Sequence, residues 1–236
     1  MIDQVFRSLV GVEGVATHQG IEADLLTAFE TEQGFHFPQD HGEILRWSNG
    51  IEAYFGYFRL FGIQSVASID AVGWNNRDCW KFAWEDRCLS FWCFGETAWG
   101  DQYAYSIDSL HTGNALQVYF IDCLSMTPAI IALSFAEFLE KEFLRNAQDP
   151  YDLMIPKAKK KLGSLEVESH LVYLPSILLS GEEHIDKVKK MNGRAAMICN
   201  GDMATQLDNG PPNGSVTGVE SYEDTQHRLR LRLVWS

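Results

Sequence analysis

Apolar positions recur at helical spacing through the first fifty residues of this chain, then give way to the two-residue alternation of strands. Ile2, Val5, Phe6 and Leu9 predict a short helix over 1–11, and Gly11, Gly14 and Gly20 interrupt the stretch between it and the next. Ile21, Leu25, Ala28 and Phe29 share one face of a second helix over 21–33, with Gly34 at its end. A third helix lies within FPQDHGEILRWSNG, residues 37–50. There Pro38 fixes φ for a first turn, Ile44 and Leu45 give an apolar face, and Asn49-Gly50 tolerates positive φ at the end. Trp47, at the end of that helix, is expected in the core.

After Gly50 the texture becomes aromatic and β-branched, predicting strands over 57–63, 88–94, 102–107 and 116–123. Tyr103, Tyr105 and Ile107 share one face, as do Leu116, Val118 and Phe120. Such alternation suits an antiparallel sheet covered on one side. The segment 64–87, with Trp74, Trp80 and Trp84 among charged residues, reads as a short helix plus a loop. Ser134-Phe-Ala-Glu137 is a capping box opening a helix with Phe135, Phe138, Leu139 and Phe143.

A boundary is expected at Asp149-Pro150, dividing a domain over 1–149 from an α+β extension over 150–236. The KAKKK run at 157–161 and Gly163 then read as an exposed connector. Further on come a strand over 170–174, a helix or broken pair over 182–207, an exposed loop over 208–218 and a strand over 228–235. In that last strand Leu229, Leu231 and Leu233 form an apolar face, expected to be packed. Arg228, Arg230 and Arg232 form a basic face, expected to be solvated.

Composition limits the chemistry. Residues 1–150 hold 8 Lys or Arg against 21 Asp or Glu and 151–236 hold 11 of each, so the whole net charge of −13 lies in the first part. That field repels nucleic acid and anionic lipid and accelerates association with a basic partner. The five cysteines are scattered and odd in number, which fits buried, reduced thiols and a cytoplasmic setting better than a disulfide framework. The first residues lack the pattern of a signal peptide. No G-x-S-x-G, H-E-x-x-H, P-loop or G-x-G-x-x-G arrangement is present, and the histidine spacings do not suit metal ligation. The expectation is a non-enzymatic protein with no cofactor, no metal, no nucleic-acid partner and no membrane partner. The sequence does not fix an oligomeric state.

The order of several short motifs resembles the SUKH superfamily, which includes yeast cell-wall regulators and bacterial immunity proteins against polymorphic toxins. The carriers are Phe37-Pro38-Gln39-Asp40, Leu45 to Gly50, Leu60-Phe61-Gly62, Phe94-Gly95, Trp99-Gly100-Asp101, Tyr103-Ala104-Tyr105, Val118-Tyr119-Phe120 and Ser134 to Leu139. The resemblance covers about 17–147. His41 departs from it, since the family favours an aromatic such as tyrosine there, and Gly42 comes next. The segment His170 to Pro175, with Gly181 and a downstream helix, bears a faint resemblance to the appended domains of some type VI secretion immunity proteins.

The resemblance implies an α+β fold, a mainly antiparallel sheet flanked by helices, used to bind protein. It implies an immunity protein that occludes a cognate basic toxin, a nuclease being one candidate. The alternative is a regulatory interaction module with several partners. Pro38, Trp47, Asn49, Gly50 and Gly100 are the expected structural positions. Glu85, Asp86, Glu96, Trp99, Asp101 and Asp108 are the expected partner-binding positions, although Asp101 beside Gly100 is also a turn-former by residue type.

Overall fold

The computed structural model describes residues 2–66, 69–113 and 116–236. Its first part runs α1 (Ile2–Val10), β1 (Ala16–Thr17), α2 (Ala23–Gln33), α3 (Gln39–Trp47), β2 (Ile51–Ala53) and β3 (Phe58–Leu60). It continues through α4 (Ala71–Asn75), a 3-10 turn at Lys81–Trp84, β4 (Phe91–Thr97), β5 (Gln102–Ser106), α5 (Ile107–Thr112), β6 (Val118–Ile121) and β7 (Pro128–Ala132). Strands β1 to β7 form one antiparallel meander in sequence order. Helix α6 (Phe135–Phe138) opens at the expected capping box. Ser134 Oγ accepts from Glu137 N at 3.2 Å, and Glu137 Oε2 accepts in return from Leu133 N at 2.8 Å. One wider π turn, Leu139–Phe143, carries it into α7 (Leu144–Gln148). The α+β class is that of the sequence reading.

An aromatic core joins helices to sheet. Phe94 of β4 stacks on Tyr105 of β5 at 4.4 Å and meets Phe138 edge-on at 5.5 Å. His41, the departure in α3, is 2 % exposed and stacks on Phe135 at 4.3 Å, so the imidazole takes an aromatic ring's place. Gly42 allows close approach of α2, since a Cβ there would stand 3.2 Å from Leu26 Cδ2. Asn49 acts through its side chain. Its amide donates to Ile63 O at 2.9 Å and accepts from Ile63 N at 2.8 Å, as a strand residue would. Gly50 alone of this pair has positive φ, 103°. Pro38 sits one residue before α3, at its N-cap. Trp47 is not core. It is 37 % exposed and packs on Phe6 at 5.2 Å, because the end of α3 faces α1 near the surface.

In the second part α8 (Met154–Leu162) replaces the expected connector. Ile155 and Ala158 are buried, and the Lys159 ammonium lies 3.4 Å from the centre of the Phe55 ring, while Lys157, Lys160 and Lys161 are exposed. Strand β8 (Ser169–Tyr173) pairs with β9 (Val188–Asn192), from Ser169 opposite Asn192 to Tyr173 opposite Val188. The helix or broken pair expected over 182–207 includes the residues of β9. Pairing with β8 prevails, and Asn192 Oδ1 then caps α9 (Gly193–Asp208) at Ala195 N, 3.1 Å away. A hairpin of β10 (Val216–Glu223) and β11 (Leu229–Trp235) packs on α9.

The sidedness expected of β11 is met only in part. Leu233 is buried, Leu231 is half-buried and Leu229 is 62 % exposed. Arg230 instead pairs with the buried Asp202 of α9, and Arg228 lies 3.5 Å over the Phe82 ring. The buried Asp202 carboxylate draws Arg230 inward, while Leu233 stays buried on the other face.

The two parts share one hydrophobic cluster, in which Ile155, Leu171, Val188 and Met197 join residues of the seven-stranded sheet and its helices. Trp84 Nε1 donates across the junction to Met197 O at 2.9 Å. No helix among the described residues is long and apolar enough to cross a membrane.

Candidate protein-binding site

The acids expected to form one patch divide between the two ends of the β4–β5 hairpin. Phe91 opposes Ser106, and Ile107 N donates to Ser90 O at 2.9 Å, so Glu85, Asp86 and Asp108 belong to the open end. All three are exposed. Glu96, Trp99, Gly100 and Asp101 belong to the turn end, separated from them by the length of the strands, roughly 20 Å.

At the turn end the carboxylates face inward. Glu96 is fully buried, with Oε1 accepting from Arg59 Nη1 at 2.8 Å and Oε2 meeting His170 Nε2 at 2.9 Å. Burial alone would raise its pKa. The charge and hydrogen bonds of His170 and then of Arg59 outweigh that and hold it below the ordinary range. Arg59 also donates to Glu166 O at 2.6 Å and to Ser169 O at 3.1 Å, which ties the sheet to the start of β8. Glu96 is therefore a tie between the two parts and presents no charge to a partner.

Asp101 is a turn-former. Its Oδ2 accepts from Thr97 Oγ1 at 2.7 Å and its Oδ1 from Cys123 N at 3.0 Å. Burial raises its pKa despite those bonds. Gly100 has φ of 93°, and a Cβ there would stand 2.8 Å from His170 Nδ1 and 2.9 Å from Met197 Sδ. The turn can approach the second part this closely only with glycine. Cys88 and Cys93 are both buried, and burial pushes the Cys88 thiol up to about 12.

Trp99 leads to the larger feature. Its ring stacks on Tyr173 of β8 at 4.8 Å with 7° between planes, and its Nε1 donates to Asp152 Oδ2 at 2.7 Å. Beside this pair opens a cleft of about 810 Å³. One wall is β8 with Leu174 and Pro175, the floor is the Ala196, Cys199 and Met203 face of α9, and the far wall is Val219, Leu229 and Leu231 of the hairpin. Leu153 and Met154, at the start of α8, close one end. The lining is predominantly apolar, and among the described residues its charged members are Asp101, Asp122, Asp152 and Glu183 against Lys157. Tyr173 reports that balance, since burial, then Asp152 and Glu183, push its hydroxyl up to about 12.

Trp99 and Asp101 are the expected partner-binding residues that reach this cleft. The sequence expectation omits Tyr173, Leu174, Met203 and Leu229. The leucine alternation in β11 is a usable signal, but by pattern alone it points to burial. Among the described residues no group of three or more His, Cys, Asp or Glu is placed to hold a metal ion.

The sequence profile of the SMI1 / KNR4 family (SUKH-1) matches residues 20–141. No curated protein matches the sequence. Among solved structures the chain is similar to Atu4351 from Agrobacterium tumefaciens. The two are 12 % identical with a TM-score of 0.52, over 91 % of this chain and 91 % of that one, a likeness of fold that extends beyond residue 141.

Proposed function

Because the chain belongs to the SMI1 / KNR4 family (SUKH-1), we propose that it is an immunity protein, a non-enzymatic binder that neutralises a cognate bacterial toxin in the cytoplasm by covering it. The supporting observation is the placement of charge. The net charge of −13 falls entirely within residues 1–150, the part that contains the family match. A basic toxin, such as a nuclease, would be drawn to that part by its field, and close-range contacts would then set the lifetime of the complex. Glu85, Asp86 and Asp108 are the exposed acids in this reading, since Glu96 is paired internally.

The alternative, a regulatory module with several partners, draws support from the separate apolar cleft, which lies mostly outside the matched residues. Co-expression separates the two. An immunity protein restores growth to cells producing the toxin encoded by the adjacent reading frame and leaves unrelated toxins untouched. A regulatory module rescues none of them.

A further inference from the structure

Leu153, Leu174, Val219 and Leu229 are 75 %, 49 %, 44 % and 62 % exposed, and all four line the one cleft. Scattered single apolar residues on a surface need no explanation, whereas four converging on a concavity mark an interaction site. The aromatic wall is rigid, because Trp99 is stacked on Tyr173 and also tethered at its indole nitrogen by Asp152. Such a wall loses little freedom on binding, and tryptophan and tyrosine are favoured anchors of interfaces.

Charge and backbone narrow the occupant. Asp122, Asp152 and Glu183 line the cleft against the cation Lys157. A second copy would bring the same acids to face its own, so self-association is disfavoured. An apolar segment with basic neighbours matches instead. The edge of β11 is already occupied, with Leu231 N donating to Asp202 Oδ2 at 2.8 Å and Leu233 N to Gln206 Oε1 at 2.9 Å. An incoming strand has no free ladder to join there, so recognition goes through side chains. A volume of about 810 Å³ suits the apolar face of a short helix, whose anchors repeat at i, i+3 or i+4, and i+7.

We propose that the cleft receives the apolar face of an amphipathic helical segment of the partner protein. Leucine-like anchors seat against Leu174, Leu229 and the Trp99–Tyr173 pair, and Lys or Arg flanks meet Asp122, Asp152 and Glu183. This deepens the protein-binding reading and rests on it.

The probe is a synthetic acetylated helix of about 15 residues with leucines at that spacing and lysines elsewhere. It is titrated into the full chain carrying labelled Leu, Val, Ile and Met methyl groups and followed by NMR. Saturable shifts confined to Leu171, Leu174, Met203, Leu229 and Leu231, weakening as salt rises, are expected. Leu174→Asp and Leu229→Asp, both at exposed positions, should keep the native spectrum and weaken binding at least about tenfold. Four results overturn the proposal: no binding, shifts spread over the acidic face, equal binding of a control peptide with serine for leucine, or cleft shifts that grow with protein concentration alone.

The same protein is mixed with the product of the adjacent reading frame. Binding there that is indifferent to the cleft substitutions removes the cleft and leaves the immunity reading. Specific capture of the helix by the cleft, without binding of that product, removes the immunity reading and leaves the cleft.

Discussion

At His41 an imidazole does the packing of an aromatic ring, and this has a pH consequence. Burial lowers its pKa from the ordinary 6.5 to about 3, and Nδ1 is hydrogen-bonded to the Tyr105 hydroxyl at 3.1 Å. Below about pH 6.5 the unfolded chain takes up a proton that the native state refuses until about pH 3, so stability is full above that window and falls through it as pH drops. At about 1.4 kcal/mol per pH unit, the loss approaches roughly 3 kcal/mol near pH 4.5. His41→Phe should lower stability at neutral pH by about 1–3 kcal/mol, because the buried Tyr105 hydroxyl loses its hydrogen-bond partner. It should also flatten the acid slope, so urea melts of variant and wild type converge near pH 5. Parallel curves would mean that His41 is not the titrating group. Asp101 and Glu142, raised by burial and opposite in sign, cancel in the comparison.

Glu96 gives a second residue-scale prediction. Glu96→Gln leaves Arg59 buried, 2 % exposed, without its anion, and should cost about 3–5 kcal/mol in urea denaturation. A double variant replacing both with apolar residues should cost less than Glu96→Gln alone, and an additive double would contradict the pairing. Sequence offers no route to this tie. Glu96 and Arg59 are ordinary surface types, and only the pairing of β3 with β4 sets them opposite each other.

Among the elements, the β10–β11 hairpin separates burial from pattern. Leu233→Ala should cost about 2–5 kcal/mol, and Leu229→Ala, at an open cleft wall, should stay within about 0.5 kcal/mol of wild type. Equal losses in thermal melts would place both leucines in the core. The alternation makes the strand legible but not how far each face is covered, because Asp202, some thirty residues away, draws Arg230 inward while Leu233 stays buried on the other face. Local signals fare similarly elsewhere. The capping box at Ser134 and the glycine turn at Gly100 are readable, being set by neighbours in the chain. β9 and the short β1, β2 and β7 are not, since each is a strand only because a partner pairs with it. Their own residues hold no decisive alternation.

For the whole molecule, the expected boundary at Asp149-Pro150 separates two parts that share a buried junction. The junction holds Glu96, Arg59, His170 and the Trp84–Met197 bond in one buried layer. We infer that residues 1–149 do not fold natively alone, because cutting there exposes that layer to water. Such a fragment should aggregate or give a collapsed spectrum, and a dispersed NMR spectrum would show the first part to be independent.

On the proposed immunity function, the chain forms a one-to-one, charge-steered complex with a cognate toxin. Calorimetric titration of the full chain with the product of the adjacent reading frame, at low and high salt, measures that complex itself. One-to-one binding that weakens as salt screens the acidic face is expected. Absence of binding at low salt, or affinity indifferent to salt, would contradict the immunity reading.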